Sequence, residues 1–466
     1  MLNDLMSAQV RFDADLIRRY DCNGPRYTSY PTAVQFHEGI GEAEYRAAAT
    51  ASNEAGKPLS LYVHVPFCAS PCFYCGCNKI ITRSTEKAET YLGYLHREIA
   101  LQGALFDHSR SVEQLHFGGG TPTFLTPLQL GSLVEALGSH FSLDGTSRRE
   151  FSIEIDPRTV APPYLADLAA MGFNRVSVGV QDCDPDVQQA VNRVQPIEET
   201  LRVIDSARNA GFGSISIDLI YGLPLQTLER FDRTLTSILA ARPERLAVYG
   251  YAHLPQVFKA QRQIRTEDLP SPSTRLALLE MTIARLTAAG YVYIGMDHFA
   301  LPDDELVRAQ AEGKLHRNFQ GYSTRAHCDI IGMGVSSIGK VAHLYAQNQK
   351  TLRDYYAAMA ANRLPVLRGV ALTQDDEIRR EVIQQIMCND VIEFAALGSY
   401  FGIDPGHYFA TEFARLVPLA GDGLIDLRPG RIAVTETGRL LRRNVAMIFD
   451  AYLTCTAAAP AYSRAI

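Results

Sequence analysis

The sequence predicts an α/β protein, a partial (β/α) barrel of about six units with an N-terminal arm and a small, mainly helical, winged-helix-like C-terminal domain. Three observations carry this. From about residue 57 to 300, short Val/Ile/Leu-rich runs alternate with amphipathic segments of helical length, the pattern of a parallel sheet covered by helices. Before that region, Gly and Pro interrupt helical periodicity, and after about residue 370 helices give way to a hairpin. The expected boundaries are 1–55 for the arm, 56–365 for the barrel and its extension, and 366–466 for the C-terminal domain.

In the arm, Leu5, Phe12, Leu16 and Tyr20 line one stripe of a short amphipathic helix. The NGPRYTSYPT string at 23–32 then breaks it with Gly and two prolines. Two readings stand: a surface arm wrapped on the main domain, or a cover that offers Arg26 and two tyrosines to an acidic, planar substrate. The strands follow at Leu59–Val65, 114–117, 151–155, 175–180, 214–220 and 245–251, with helices at 88–101, Pro127–His140, 198–210 and Leu228–Ala241. Polar residues stand where these strands end: Gly118 to Thr121, Glu154, Gln181, Asp218 and the Tyr251-Ala252 pair. Sites on this architecture form at the C-terminal ends of the strands. A helix over 270–290 and a strand over 291–295 come next. The Gly/Ser-rich stretch 321–339 reads either as backbone approaching a ligand or as a plain loop. Thr373 with Asp376 caps a helix over 375–388. A hairpin over 424–435 and a further helix from Glu436 complete the winged module. Its Arg439, Arg442 and Arg443 read as a solvated helix face, with nucleic-acid contact the sharper alternative.

Hydrophobic residues make up 47% of the chain and charged ones 21%, as in an ordinary globular protein with a filled core. A net charge of -6 gives no electrostatic case for wholesale nucleic-acid binding. Of the nine cysteines, four fall between 68 and 77, while Cys22, Cys183, Cys328, Cys388 and Cys455 are scattered, which is no disulfide framework. The first twenty residues are neither a signal nor a transit peptide. No run approaches the roughly 20 apolar residues of a membrane span. The expectation is a cytoplasmic protein in a reducing compartment, with no membrane span and no nucleic-acid partner.

Cys68, Cys72 and Cys75 stand at C-x3-C-x2-C spacing directly after an apolar run, with Cys77 two residues on. Thiolates so close repel one another and oxidise readily, so such crowding implies a metal or a disulfide. One loop can close around one face of an iron–sulfur cube, each of the three ligating one iron and one iron staying open. A zinc site of all four cysteines competes with this. Against it, Cys75 and Cys77 flank a single Gly, and no second ligand pair exists. The Gly118-Gly119-Gly120-Thr121-Pro122 string ends a strand with bare backbone, which suits a small polar head group. It is not a dinucleotide fingerprint. Glu154, at the end of an apolar strand, needs partners: ribose hydroxyls on one reading, a salt bridge on the other. Gln181, Arg193 and Asp218 follow the same logic, with Arg193 available to a ligand carboxylate.

Together, the cysteine loop, Gly118 to Thr123, Glu154 and the IDLIYGLP string at 217–224 resemble the radical S-adenosylmethionine (SAM) enzymes. Over nearly its full length the chain resembles the oxygen-independent coproporphyrinogen III oxidase family within them. The RYTSYPT, CNK, GMDHF, HRNFQGY and GMGVS strings at 26, 77, 295, 316 and 332 carry that narrower likeness. The resemblance implies a [4Fe-4S] cluster on Cys68, Cys72 and Cys75 and two molecules of SAM. The first would lie against Tyr62, Gly119, Glu154 and Ile338. The second would contact Tyr74, Gly120, Thr121, Gln181, Arg193, Asp218 and Ala252, with Tyr74 standing where the family has Phe. It implies radical decarboxylation of two propionates of coproporphyrinogen III to vinyl groups, giving protoporphyrinogen IX in haem biosynthesis. It assigns no catalytic side chain beyond these sites. An outside reductant such as flavodoxin and a monomeric state complete the expectation. A haem-binding chaperone of the same superfamily is the competing class, but that branch typically lacks both the fourth cysteine and the 26–32 arm. An RNA-modifying radical SAM enzyme is disfavoured by the mild charge and the absence of a second cluster motif.

Overall fold

A computed structural model describes residues 10–453. Its contacts divide into two compact units. One comprises Phe36–Leu278 and His327–Ala371; the other comprises Leu279–Ala326 and the described parts of Met1–Gln35 and Leu372–Ile466.

The first unit is built on strands β1 (Leu59–Val65), β2 (Ser111–Gly119), β3 (Glu150–Ile155), β4 (Arg175–Gln181), β5 (Ser214–Tyr221) and β6 (Arg245–Gly250). Each pairs in parallel with the next, and helices connect them. Their apolar residues face the helix layer: Leu61, Val63, Phe117, Ile153, Val178 and Ile217 are buried. Three connecting helices carry the expected start signals. Ser84 caps Thr85–Gly103, Thr126 with Gln129 forms a capping box on Pro127–His140, and Thr227 caps Leu228–Ala241. The helix Pro162–Ala170 escapes a periodicity reading because it is short and opens on two prolines.

The Gly/Ser-rich stretch is neither a loop nor a ligand cradle throughout. Asp329–Met333 (β7) is a seventh parallel strand on the outer side of β1, followed by antiparallel β8 (Ile338–Val341), β9 (Leu344–Asn348) and β10 (Val366–Ala371). Its glycines serve strand packing: a Cβ on Gly339 would meet the Ile330 carbonyl oxygen at 2.5 Å. The turn before β8 is tied down by Glu98, buried in Thr85–Gly103. Glu98 accepts from the Gly334 N–H, the Asn348 amide and the Tyr355 hydroxyl. Burial pushes this carboxyl up to about 7 against those hydrogen bonds.

In the second unit, Thr373 caps Gln374–Cys388 in a capping box with Asp376, as the sequence predicts. The hairpin pairs Ile425–Arg428 with Arg431–Val434, and Val391–Glu393 adds a third strand too short to recognise from sequence. The three arginines require a correction: they are neither a solvated face nor free for nucleic acid. Arg439, Arg442 and Arg443 are 8%, 1% and 2% exposed. Arg439 and Arg442 pair with Asp390 at 3.2 and 2.7 Å, and Arg442 also donates to the carbonyls of Ile294 and Met387. Arg443 donates to the Pro25 carbonyl at 2.9 Å. A buried guanidinium persists only when paired in this way, and sequence shows the charge without its partner.

The described residues of the arm up to Gln35 belong to this same unit, and those from Phe36 onward to the first. Asp13 caps Ala14–Tyr20, and Leu16 and Tyr20 pack on the core, while Leu5 of the expected stripe lies outside the described residues. Tyr27 and Tyr30 are core residues, which overturns the reading that offers them to a substrate. Both are buried: Tyr27 donates to Asp450, and the Tyr30 hydroxyl accepts from the Ala451 N–H. Arg26 forms an ion pair with Asp297.

Truncating Arg442 leaves Asp390 and two carbonyls short of a buried donor. Arg442→Ala should therefore cost about 3–5 kcal/mol in urea unfolding, whereas Arg428→Ala, on an exposed pair, should change stability little.

Candidate functional site

The parallel strands deliver one row of residues to one edge. In β1 the residues Tyr62 and His64 share a face, and strand register sets Tyr62 beside His116 of β2 and His116 beside Ser152 of β3. The same register sets Glu154 beside Ser177, and Gly179 beside Asp218. Polar residues of equal parity thus line one side of the sheet while their neighbours feed the apolar layer.

At the C-terminal ends of these strands lies a cavity of about 380 Å³. Cys68, Cys72, Cys75 and Cys77, all from the loop after β1, line one wall. Gly119, Gly120 and Thr121 line another, and Tyr74, Glu154, Gln181, Arg193 and Asp218 complete the expected set present. Tyr62, Ala252 and Ile338 do not line it. Tyr62 instead stacks on His116 at 5.8 Å and hydrogen-bonds His64 at 3.0 Å. The Ala252 carbonyl accepts from Gln261, and Ile338 pairs with Gln347 of β9.

Each of the three spaced thiols receives a donor. Thr121 Oγ1 lies 3.4 Å from Cys68 Sγ, Arg193 Nη1 3.5 Å from Cys72 Sγ, and the Cys77 N–H 3.4 Å from Cys75 Sγ. Arg158 adds a longer contact to Cys72 at 3.8 Å, and Lys79 anchors the loop by donating to the Cys75 carbonyl. The Cys77 thiol also hydrogen-bonds Cys75, and this with the Lys79 charge lowers the Cys75 thiol below its ordinary range. Cys77 thereby gains a physical role that its sequence position leaves open. None of the eight cysteines among the described residues is in a disulfide, and Cys455 lies outside them. Three sulfurs on one wall, each supplied with donors and neighboured by cations, suit thiolate ligands of a cluster.

The glycines are required by space. A Cβ on Gly119, whose φ is +120°, would meet the His64 ring at 2.6 Å. One on Gly120 would meet the Pro66 backbone at 2.7 Å. The strand end therefore presses on the loop that carries the cysteines. Glu154 accepts from the Gly119 N–H at 3.1 Å and faces His116 Nε2 at 3.5 Å. Burial alone would raise its pKa, but the His116 hydrogen bond and charge outweigh that and lower it. Gln181 takes a left-handed φ of +70° where the β4–β5 register slips, backbone strain of the kind that gathers at sites. Arg193 is 6% exposed and committed: besides Cys72 it donates to Asp156 at 3.1 Å and to the Gly179 carbonyl at 2.6 Å. Its Nε is buried without a partner.

Sequence reasoning missed His64, His116, Asp156 and Arg158. His64 and His116 were legible as same-face neighbours of Tyr62 and Gly118. The Asp-Pro-Arg string after β3 is an Asx-type cap that swings Arg158 back toward Asp156.

Asp218 accepts from Ser177 at 3.1 Å, and burial, reinforced by repulsion from Glu154, pushes it up to about 7. An unfolded aspartate titrates near about 3.9, so the fold favours its protonated form. That contribution is complete below about pH 4 and is lost as pH rises through about 7. Asp218→Asn should accordingly raise the melting temperature at pH 8 and leave it unchanged at pH 4, measured without SAM.

Residues 62–238 match the Radical SAM superfamily and residues 372–441 the HemN C-terminal domain. The chain is 51% identical to the oxygen-independent coproporphyrinogen III oxidase of Pseudomonas aeruginosa over 95% of its own length and 96% of the relative's. It is 49% identical to that of Escherichia coli over 98% of its length and 99% of the relative's. The solved structure of coproporphyrinogen III oxidase (HemN) from Escherichia coli, a radical SAM enzyme, superposes with a TM-score of 0.91 at 48% identity, covering 96% of this chain and all of that one. The chain thus shares its fold and about half of its residues with enzymes of one kind, over nearly the whole length of each: it belongs to the oxygen-independent coproporphyrinogen III oxidase family of the radical SAM superfamily.

Proposed function

We propose that the chain converts coproporphyrinogen III to protoporphyrinogen IX without oxygen, turning two propionate side chains into vinyl groups with loss of CO2, each giving one hydrogen atom to a 5′-deoxyadenosyl radical and one electron to an outside acceptor. The observation that carries this reading is the wall of Cys68, Cys72 and Cys75 facing Gly119 and Glu154 across one cavity. When bound there, a [4Fe-4S] cluster and SAM supply the electron and the 5′-deoxyadenosyl radical that removes hydrogen from a propionate.

The protein's own task is to hold charge and exclude water. Thr121, Arg193, Arg158 and the Cys77 N–H donate toward the three sulfurs, dispersing the charge that crowded thiolates accumulate. Glu154, kept ionised by His116 and oriented by the Gly119 N–H, is an acceptor for the ribose hydroxyls of SAM. Asp218 titrates near 7, so at neutral pH it is poised between donor and acceptor, unlike Glu154. With Tyr74, Gly120, Thr121, Gln181, Arg193 and Ala252 it is assigned to a second SAM. The Arg193 Nε is buried with no protein partner, a donor that a ligand could take. Tyr62 and Ile338 complete the set assigned to the first SAM. The remaining parts of the reading are an outside reductant such as flavodoxin and a monomer working in the cytoplasm. Among the described residues no helix is long and apolar enough to cross a membrane.

An anaerobic assay of the cluster-loaded protein with SAM, reductant and coproporphyrinogen III should release two CO2 for each protoporphyrinogen formed. SAM cleavage without decarboxylation would overturn the substrate assignment. Cys68→Ala, Cys72→Ala and Cys75→Ala should each abolish the cluster's visible absorption. Glu154→Gln should retain iron but weaken SAM binding by about 1.5–3 kcal/mol, the value of a hydrogen bond to a charged group, by calorimetric titration.

A further inference from the structure

A second cluster of metal-ligating side chains lies at the other end of the strands. Glu113, near the start of β2, and His327 and Cys328, just before β7, bring a carboxylate oxygen, an imidazole nitrogen and a thiol sulfur within 4.8 Å of one another. His327 Nε2 is 3.1 Å from Glu113 Oε2.

The backbone builds this meeting. Leu59 pairs with Val112 and Ser60 with Gln114, so Glu113 is the extra residue of a bulge, the irregularity that re-aims a side chain. On the other side, Asp329 fixes the chain directly after Cys328. Its carboxylate accepts from Ser52 at 2.5 Å, Arg110 at 3.4 Å and the Ala342 N–H at 3.2 Å, while its own N–H donates to the Pro58 carbonyl. His327 and Cys328 are therefore delivered from a held strand start, as a ligand pair must be.

The donor set selects the ion. Tetrahedral zinc with bonds of about 2.0–2.3 Å sets its ligands about 3.3–3.8 Å apart, a spacing that donors already within 4.8 Å reach by side-chain adjustment. Sulfur with nitrogen and one carboxylate suits zinc and excludes calcium or magnesium, which require oxygen shells. The His327 side chain is 51% exposed, which leaves an entry path and room for water as a fourth ligand. An ordinary Glu–His surface pair would need no thiol beside it.

We propose that Glu113, His327 and Cys328 bind a zinc-class divalent cation that clips the start of β7 to β2 across the intervening β1. The Cys328 thiol proton and any imidazolium proton are released on binding. The site stands away from the thiol cavity, at the strand ends where barrel residues serve stability.

The test uses the full, cluster-loaded chain. Equilibrium dialysis against zinc should give one more bound zinc in the wild type than in H327A or C328S, with equal iron content showing that fold and cluster persist. Titration with cobalt(II) should give a thiolate-to-cobalt charge-transfer band that C328S lacks, and zinc should raise the melting temperature of the wild type alone. Should C328S not fold, H327A and E113Q carry the comparison. Equal zinc, or an equal cobalt band, in wild type and variants would overturn the proposal and place that metal on other thiols.

Discussion

The close approach of the β2 end to the loop after β1 is the constraint on which the site depends. Gly119 lies against the His64 ring and Gly120 against the Pro66 backbone, with no room for a Cβ at either. That contact sets the cysteine loop over the strand ends, and it frees the Gly119 N–H to orient Glu154. Parallel pairing from β1 to β6 then repeats the geometry, so that the strands end at the same edge, where β3, β4 and β5 add Glu154, Gln181 and Asp218. The cavity is a consequence of register as much as of residue choice.

Electrostatics divides the labour among these groups. The thiols stand beside Arg193, Arg158 and Lys79, which offset the negative charge that cluster ligation brings. Two carboxylates in the same cavity are pushed apart: Glu154 down by His116, Asp218 up by burial and by Glu154 itself. The two carboxylates therefore differ in their hold on a proton within one cavity. Cys77 belongs to this scheme as a donor to Cys75.

The second unit relies on buried charge of another kind. Asp390 joins Arg439 and Arg442, and Arg443 reaches back to Pro25, so the arm and the helix Arg442–Met447 are knitted by guanidinium contacts. Tyr27 and Tyr30 pack into the same core. Residues that look like surface chemistry in sequence serve here to order the unit. Glu98 in the first unit is a parallel case, a lone carboxylate whose three donors come from the β7–β9 region and from Tyr355.

The sequence by itself determined the local features. Near-continuous apolar runs marked β1 and β3 to β6, because a strand buried on both faces leaves that trace over a few residues. The capping pair Thr373 with Asp376 marked a helix start, because its hydrogen bonds span three positions. The thiol spacing marked a cluster loop, because the ligands lie in one short segment. What needed the tertiary structure were interactions between distant segments. The seventh strand was hidden because its glycines answer to β8 rather than to their own neighbours. The contacts of His116 with Ser152 and Glu154, and of Arg158 with Cys72, were hidden because those partners sit on other strands or loops. The arginines of the last helix looked solvated because Asp390 and the Pro25 carbonyl come to them only through folding. Periodicity reports which face a residue takes. Only packing decides what meets it there.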